Sequence, residues 1–75
     1  HPFVGEPAGA LARRALAVAP GDRERVQWLY RNLYGRLPRP EEMELALETV
    51  SGALPKNWEI LCQALVCANE FLYLD

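Results

Sequence analysis

The sequence predicts an all-α fold, a compact bundle of four short helices. Three observations lead there. Apolar residues recur at spacings of three and four along most of the chain, the period of an amphipathic helix. Proline and glycine interrupt that pattern at Pro20-Gly21, from Gly35 to Pro40 and from Gly52 to Pro55, where helices stop and restart. The connections are short, which favours antiparallel neighbours.

The first helix is expected from Pro7 to about Ala19. Proline suits a first turn because its missing N–H is one of the donors left over there. Ala8, Leu11, Ala12, Ala15, Val18 and Ala19 make one stripe of mostly small residues. The second is expected between Asp22 as N-cap and Gly35 as C-cap glycine. Val26, Leu29, Tyr30 and Leu33 share a face with Tyr34 at its margin, and Trp28 lies about 160° from the centre of that stripe. The rigid segment Leu37-Pro38-Arg39-Pro40 leads into a third helix opened by Pro40. Glu41, Glu42 and Glu44 sit near its positive end, where they favour the helix dipole, and a cation site is the lesser reading. Its buried stripe is read as Met43, Ala46, Leu47, Val50 and Leu54, with Ser51-Gly52 weakening the end and Pro55 stopping it. The fourth is expected from Asn57, as N-cap, to Phe71 or Leu72. Leu61, Ala64, Leu65, Ala68 and Leu72 form its face, extended by Ile60, Cys67 and Phe71 on one side and by Cys62 and Val66 on the other. Only Glu59, Gln63 and Glu70 remain as a polar strip, and a helix so apolar needs cover on several sides.

Composition bounds the function. Seventy-five residues make one domain, 51% of them hydrophobic, and the formal charge is −2. That balance lacks the basic excess of a nucleic-acid-binding domain. No apolar run reaches the roughly 20 residues that span a bilayer, and the first residues do not form a signal peptide. A start on His1 rather than Met points to a piece of a longer parent. Cys62 and Cys67 fall about 140° apart on a helix and cannot bridge each other. They read as small core hydrophobes, because their spacing fits neither haem attachment nor a zinc site. His1 alone makes no metal site, no nucleophile–base–orienter set is present, and no cofactor or metal is expected. A non-enzymatic chain follows. Trp28, Ile60, Cys67, Phe71 and Tyr73 are the candidate interface residues, since large apolar side chains outside a core stripe are favoured anchors. The alternative for Trp28 is an indole lying on its own helix against Arg25 or Arg31. Arg36 is expected to pair with Glu70 across helices, while Asn69 and Tyr30 satisfy local backbone groups.

Several phrases carry a family resemblance. Pro2-Phe3-Val4 precedes Ala10-Leu11-Ala12-Arg13-Arg14. Arg23-x-Arg25-Val26-x-Trp28-Leu29-Tyr30-Arg31 runs into Tyr34-Gly35-Arg36-x-Pro38-x-Pro40-Glu41-Glu42. Trp58, Ala64-Leu65-Val66 and Asn69-Glu70-Phe71-Leu72-Tyr73-Leu74-Asp75 close the chain. This order resembles the C-terminal region of the planctomycete-specific domain of unknown function that is fifteen-fifty-three in the numbered series. Ala68 and Leu74 depart from its usual closing phrase. Arg39 replaces the usual Thr or Ser before Pro-Glu-Glu, which implies a weaker cap. The resemblance implies a large exported protein of the periplasm or cell surface, often with a cytochrome c-like module far upstream. No haem residue carries over. A looser likeness to a helical module of phycobilisome linkers rests on the Tyr-Arg…Gly-Arg-x-Pro turn alone.

The function expected from all this is a structural or interaction module at the C-terminus of an exported multidomain protein. Its partner would be the rest of its own chain or another protein, with no nucleic acid and no membrane insertion. The competing class is a segment that completes an active site built by upstream residues. A DNA-binding helical module ranks below both.

Overall fold

A computed structural model of the chain describes residues 7–52 and 54–72, with side chains as far as Asn69. It holds four helices: α1 (Ala8–Val18), α2 (Asp22–Tyr34), α3 (Pro40–Val50) and α4 (Pro55–Leu72). The all-α bundle expected from the periodicity is what the chain forms. α4, the longest, packs against each of the other three, and α2 also touches α1 and α3. α1 and α3 therefore sit across the bundle from one another.

The caps differ from expectation in instructive ways. Asp22 is the first residue of α2 and Gly21 its N-cap, with no side chain capping it. Asp22 instead accepts from Arg25 Nη1 at 3.1 Å. Gly35 ends α2 in the left-handed region at φ 72°, as expected, and its N–H donates to the Arg31 carbonyl. A Cβ there meets nothing within 4 Å, so only the backbone conformation demands glycine. α4 begins at Pro55, two residues before the expected Asn57 cap. Asn57 lies in its first turn, where Nδ2 donates to the Ser51 carbonyl at 3.0 Å and ties α4 to the end of α3.

The core is built from Leu11, Ala12 and Ala15 of α1, Val26, Leu29, Tyr30 and Leu33 of α2, Met43, Ala46 and Val50 of α3, and Trp58, Leu61, Cys62 and Leu65 of α4. The stripes of α1 to α3 follow the sequence pattern except at their ends. Val18 and Leu54, both assigned to buried stripes, are exposed, because the helices stop at or before them and leave no neighbour beyond.

α4 departs most. Its buried line runs through Trp58, Leu61, Cys62, Leu65 and Asn69, while Ala64 and Ala68 face solvent. The helix is turned roughly 60° from the expected orientation. The cause is area: an indole buries far more apolar surface than two alanine methyls, so Trp58 decides which side faces inward. Cys62 is a core thiol as expected, but Cys67 is exposed and free.

Trp58 is held by Arg25. The guanidinium lies 5.8 Å from the Trp58 ring centroid, and its Nε donates to the Ala19 carbonyl at 2.7 Å. One side chain thus satisfies a carbonyl at the end of α1, pairs with Asp22 of α2 and covers the indole of α4. Arg25→Ala should lower unfolding free energy by about 2 kcal/mol, read by urea denaturation. Arg25→Lys should recover less than half of that, since an ammonium cannot both stack and reach the carbonyl. Full recovery by lysine would show that charge alone matters.

Candidate docking face

The turn from α2 into α3 builds one end of a concave face. Gly35 reverses the chain, so that Arg36 returns over the last turn of α2. Its guanidinium lies 5.6 Å from the Tyr30 ring centroid and 5.7 Å from that of Tyr34. The two rings meet edge to face at 5.0 Å, an arrangement the ring quadrupole favours. Arg36 also clasps Glu42 with two parallel bonds, Nη1 to Oε1 at 2.8 Å and Nη2 to Oε2 at 3.0 Å. Glu42 is therefore a partner of Arg36, because six residues and one tight turn bring it alongside; the side chain of Glu70, the expected partner, lies outside the described residues.

Glu42 does a second job. Its Oε1 accepts the backbone N–H of Arg39 at 2.8 Å and so satisfies the N-cap of α3. Arg39 has no acceptor in its side chain and gives no cap of its own, as its departure from Thr or Ser implied. The hydrogen bonds from Arg36 and then from Arg39 pull the Glu42 carboxyl down to about 2. Its carboxylate bond raises Arg36 further above its ordinary value. Burial, then the nearby Tyr30, push the Tyr34 phenol up to about 12, and burial, then Glu42, raise Tyr30. Tyr34 stays a donor, with its hydroxyl giving 2.8 Å to the Leu65 carbonyl in the middle of α4.

From this polar end a groove of about 500 Å³ runs between α3 and α4. Ala46, Leu61 and Leu65 belong to both the core and its floor, and Leu45, Ile60, Ala64 and Ala68 border it. Leu45 is 66% exposed and Ile60 52%, high values for branched aliphatic side chains. Small residues on α4 keep the groove open, and the rotation imposed by Trp58 is what turns them outward.

The candidate interface residues do not gather in one place. Ile60 borders the groove. Cys67 is exposed on the same side of α4, where its sulfur accepts from Gln63 Nε2 at 3.3 Å. Trp28 is partly buried on α2, packed against the core toward α1, with the Arg14 guanidinium 5.7 Å from its ring centroid. That stacking partner is neither Arg25 nor Arg31. The side chain of Phe71, and Tyr73 altogether, lie outside the described residues. Leu45 was missed, although its place about 160° from Met43 on a helical wheel marks it as an outward leucine. Asn69 is buried, and no buried side-chain polar atom among the described residues lacks a hydrogen-bond partner. Two other concavities, of about 530 and 380 Å³, lie by the Leu37–Pro40 connector and beside Trp58. Among the described residues no three His, Cys, Asp or Glu side chains converge as a metal site would need. No helix there is long and apolar enough to cross a membrane.

No protein-family model, curated protein or solved structure matches this chain.

Two expectations test the polar end. The folded state depresses Glu42 from 4.5 to about 2, so its stabilisation is complete above pH 4.5 and fades as pH falls through about 2. The pair is open to water, with side chains 43% and 28% exposed, so Glu42→Gln should cost about 1 kcal/mol at neutral pH and flatten the acid limb. Tyr34 has the opposite sign: its contribution is complete below pH 10.0 and fades as pH rises through about 12. Tyr34→Phe should cost about 1 kcal/mol and remove the latest-titrating phenolate absorbance. Loss of a phenolate that titrates at the ordinary value of 10.0, with the late one retained, would refute the raised Tyr34.

Proposed function

We infer that this domain is a helical packing and interaction module whose docking face is the groove between α3 and α4. The observation that carries this reading is the pair Leu45 and Ile60, large aliphatic residues left in water on either side of an apolar floor. Isolated exposed aliphatics are ordinary, but two that border one concave apolar surface fit an occupied face. The Arg36–Glu42 clasp and the tyrosine pair at one end supply a rigid, hydrogen-bonded wall, the polar rim that interfaces commonly carry.

The likeness to the planctomycete-specific domain supports placing the module in an exported multidomain protein, at the periplasm or cell surface. On that reading the occupant of the groove is an apolar segment of the same gene product or a protein bound to it. Structural work rather than catalysis is the proposed role.

Amide hydrogen exchange tests it. The isolated domain and the same residues within the complete gene product are compared, and slower exchange around Leu45, Ile60, Ala64 and Ala68 is expected in the latter. Leu45→Asp with Ile60→Asp should leave the isolated domain's stability within about 0.5 kcal/mol, since both side chains are exposed, while abolishing that extra protection. Equal exchange in the two contexts would sink the reading.

A further inference from the structure

Charge is divided between opposite sides of the bundle. α1 carries Arg13 and Arg14 and no acid, whereas α3 carries Glu41, Glu42, Glu44 and Glu48 and no base. The same division holds more widely along the chain. From Ala8 to Arg39 seven Arg stand against Asp22 and Glu24, a net +5, and from Pro40 to Glu70 six Glu stand against Lys56, a net −5. The near-zero total hides this separation.

Arg36 pairs with Glu42 and Arg23 shares a concavity with Glu44, but the fold sets the other exposed arginines of α1 and α2 apart from the outer side of α3. Met43, Ala46 and Val50 point α3 inward, which sends Glu41, Glu44, Leu45 and Glu48 outward within an arc of roughly 100°. All four are exposed, so one large aliphatic side chain stands among three carboxylates. On the other side Arg14 and Arg31 are exposed around the partly buried Trp28, with Glu24 one turn before it, and Arg13 is exposed on the outer side of α1 beside Gly9 and Glu59. Among the described residues α1 and α3 make no contact, because α2 and α4 lie between them. A single molecule cannot bring its basic face to its acidic one.

We propose that the basic α1–α2 face of one copy docks on the acidic α3 face of a second copy, head to tail. Charge complementarity names the partner. Each face presents an apolar side chain among charges mostly of one sign, Glu24 being the exception on the basic face, and the prevailing signs are opposite. The contact is heterologous, so a pair still offers one face of each kind, and larger species form as concentration rises. Opposed rim charges set the register and speed the encounter more than they deepen affinity, so the association is weak and strongly dependent on salt. This goes beyond the groove reading and rests on different residues, Leu45 excepted. Extra protection in the complete gene product and self-association of the isolated domain can fail independently.

Sedimentation velocity of the isolated domain is the test. Association should be seen at low salt and weaken at least about tenfold between 0.01 and 0.15 M, where the screening length shrinks from roughly 30 to roughly 8 Å. Arg13→Glu with Arg31→Glu makes both faces acidic, and Glu44→Lys with Glu48→Lys makes both basic. Each variant alone should be monomeric. Their equimolar mixture should associate again, because each variant's reversed face then meets an opposite charge. Circular dichroism checks folding, and Arg→Gln and Glu→Gln pairs at the same positions replace any variant that unfolds, with loss of association as the readout. A wild-type domain that stays monomeric at about 1 mM in low salt overturns the proposal. Association that survives the charge reversals overturns it too, as does a mixture that fails to reassociate.

Discussion

The Trp58 indole under the Arg25 guanidinium is the contact on which the rest of the arrangement depends. Trp58 carries more apolar area than any other side chain on the inward line of α4, and its burial sets the rotation of that helix. Arg25 ties the same point to α2 through Asp22 and to the end of α1 through the Ala19 carbonyl. A small domain has few places where three elements are locked at once. Here one partly buried arginine and one buried tryptophan do it, away from the groove.

The consequence reaches the surface. Once Trp58, Leu61, Cys62 and Leu65 face inward, Ile60, Ala64, Cys67 and Ala68 must face outward, since a helix has one circumference to distribute. The outward set is still largely apolar. An over-apolar helix thus covers the core with one side and leaves a concave apolar border on the other. The α2–α3 turn fixes the far end of that border through Gly35, Arg36 and Glu42. The residue that caps α3 is the one that anchors the arginine over the two tyrosines, so helix start and groove wall form one structure.

The polar cluster is not arranged for acid–base work. Glu42 is held strongly acidic by its donors and Tyr34 strongly protonated by burial, so both keep one protonation state across the neutral range. Groups tuned this way hold geometry. The charges that remain available are the exposed ones on α1, α2 and α3, and these differ in sign from one side of the bundle to the other.

Four helices, their punctuation, the left-handed Gly35 and the cores of α1 to α3 were legible in the sequence, because periodicity and backbone constraint act locally. Cys62 in the core and Ile60 at an outer surface were legible too. The facing of α4 was not. A helix apolar around most of its circumference offers several nearly equal stripes, and only packing against α1, α2 and α3 selects one. That selection exposed Cys67 and buried Asn69, and the packing of α1 on α2 set Arg14, from a different helix, over Trp28. The charge division was present in the order of residues, but it became two opposed faces only when α2 and α4 came between α1 and α3. Local chemistry determined the elements. Competition for burial among side chains far apart in sequence decided which of their sides the domain shows to others.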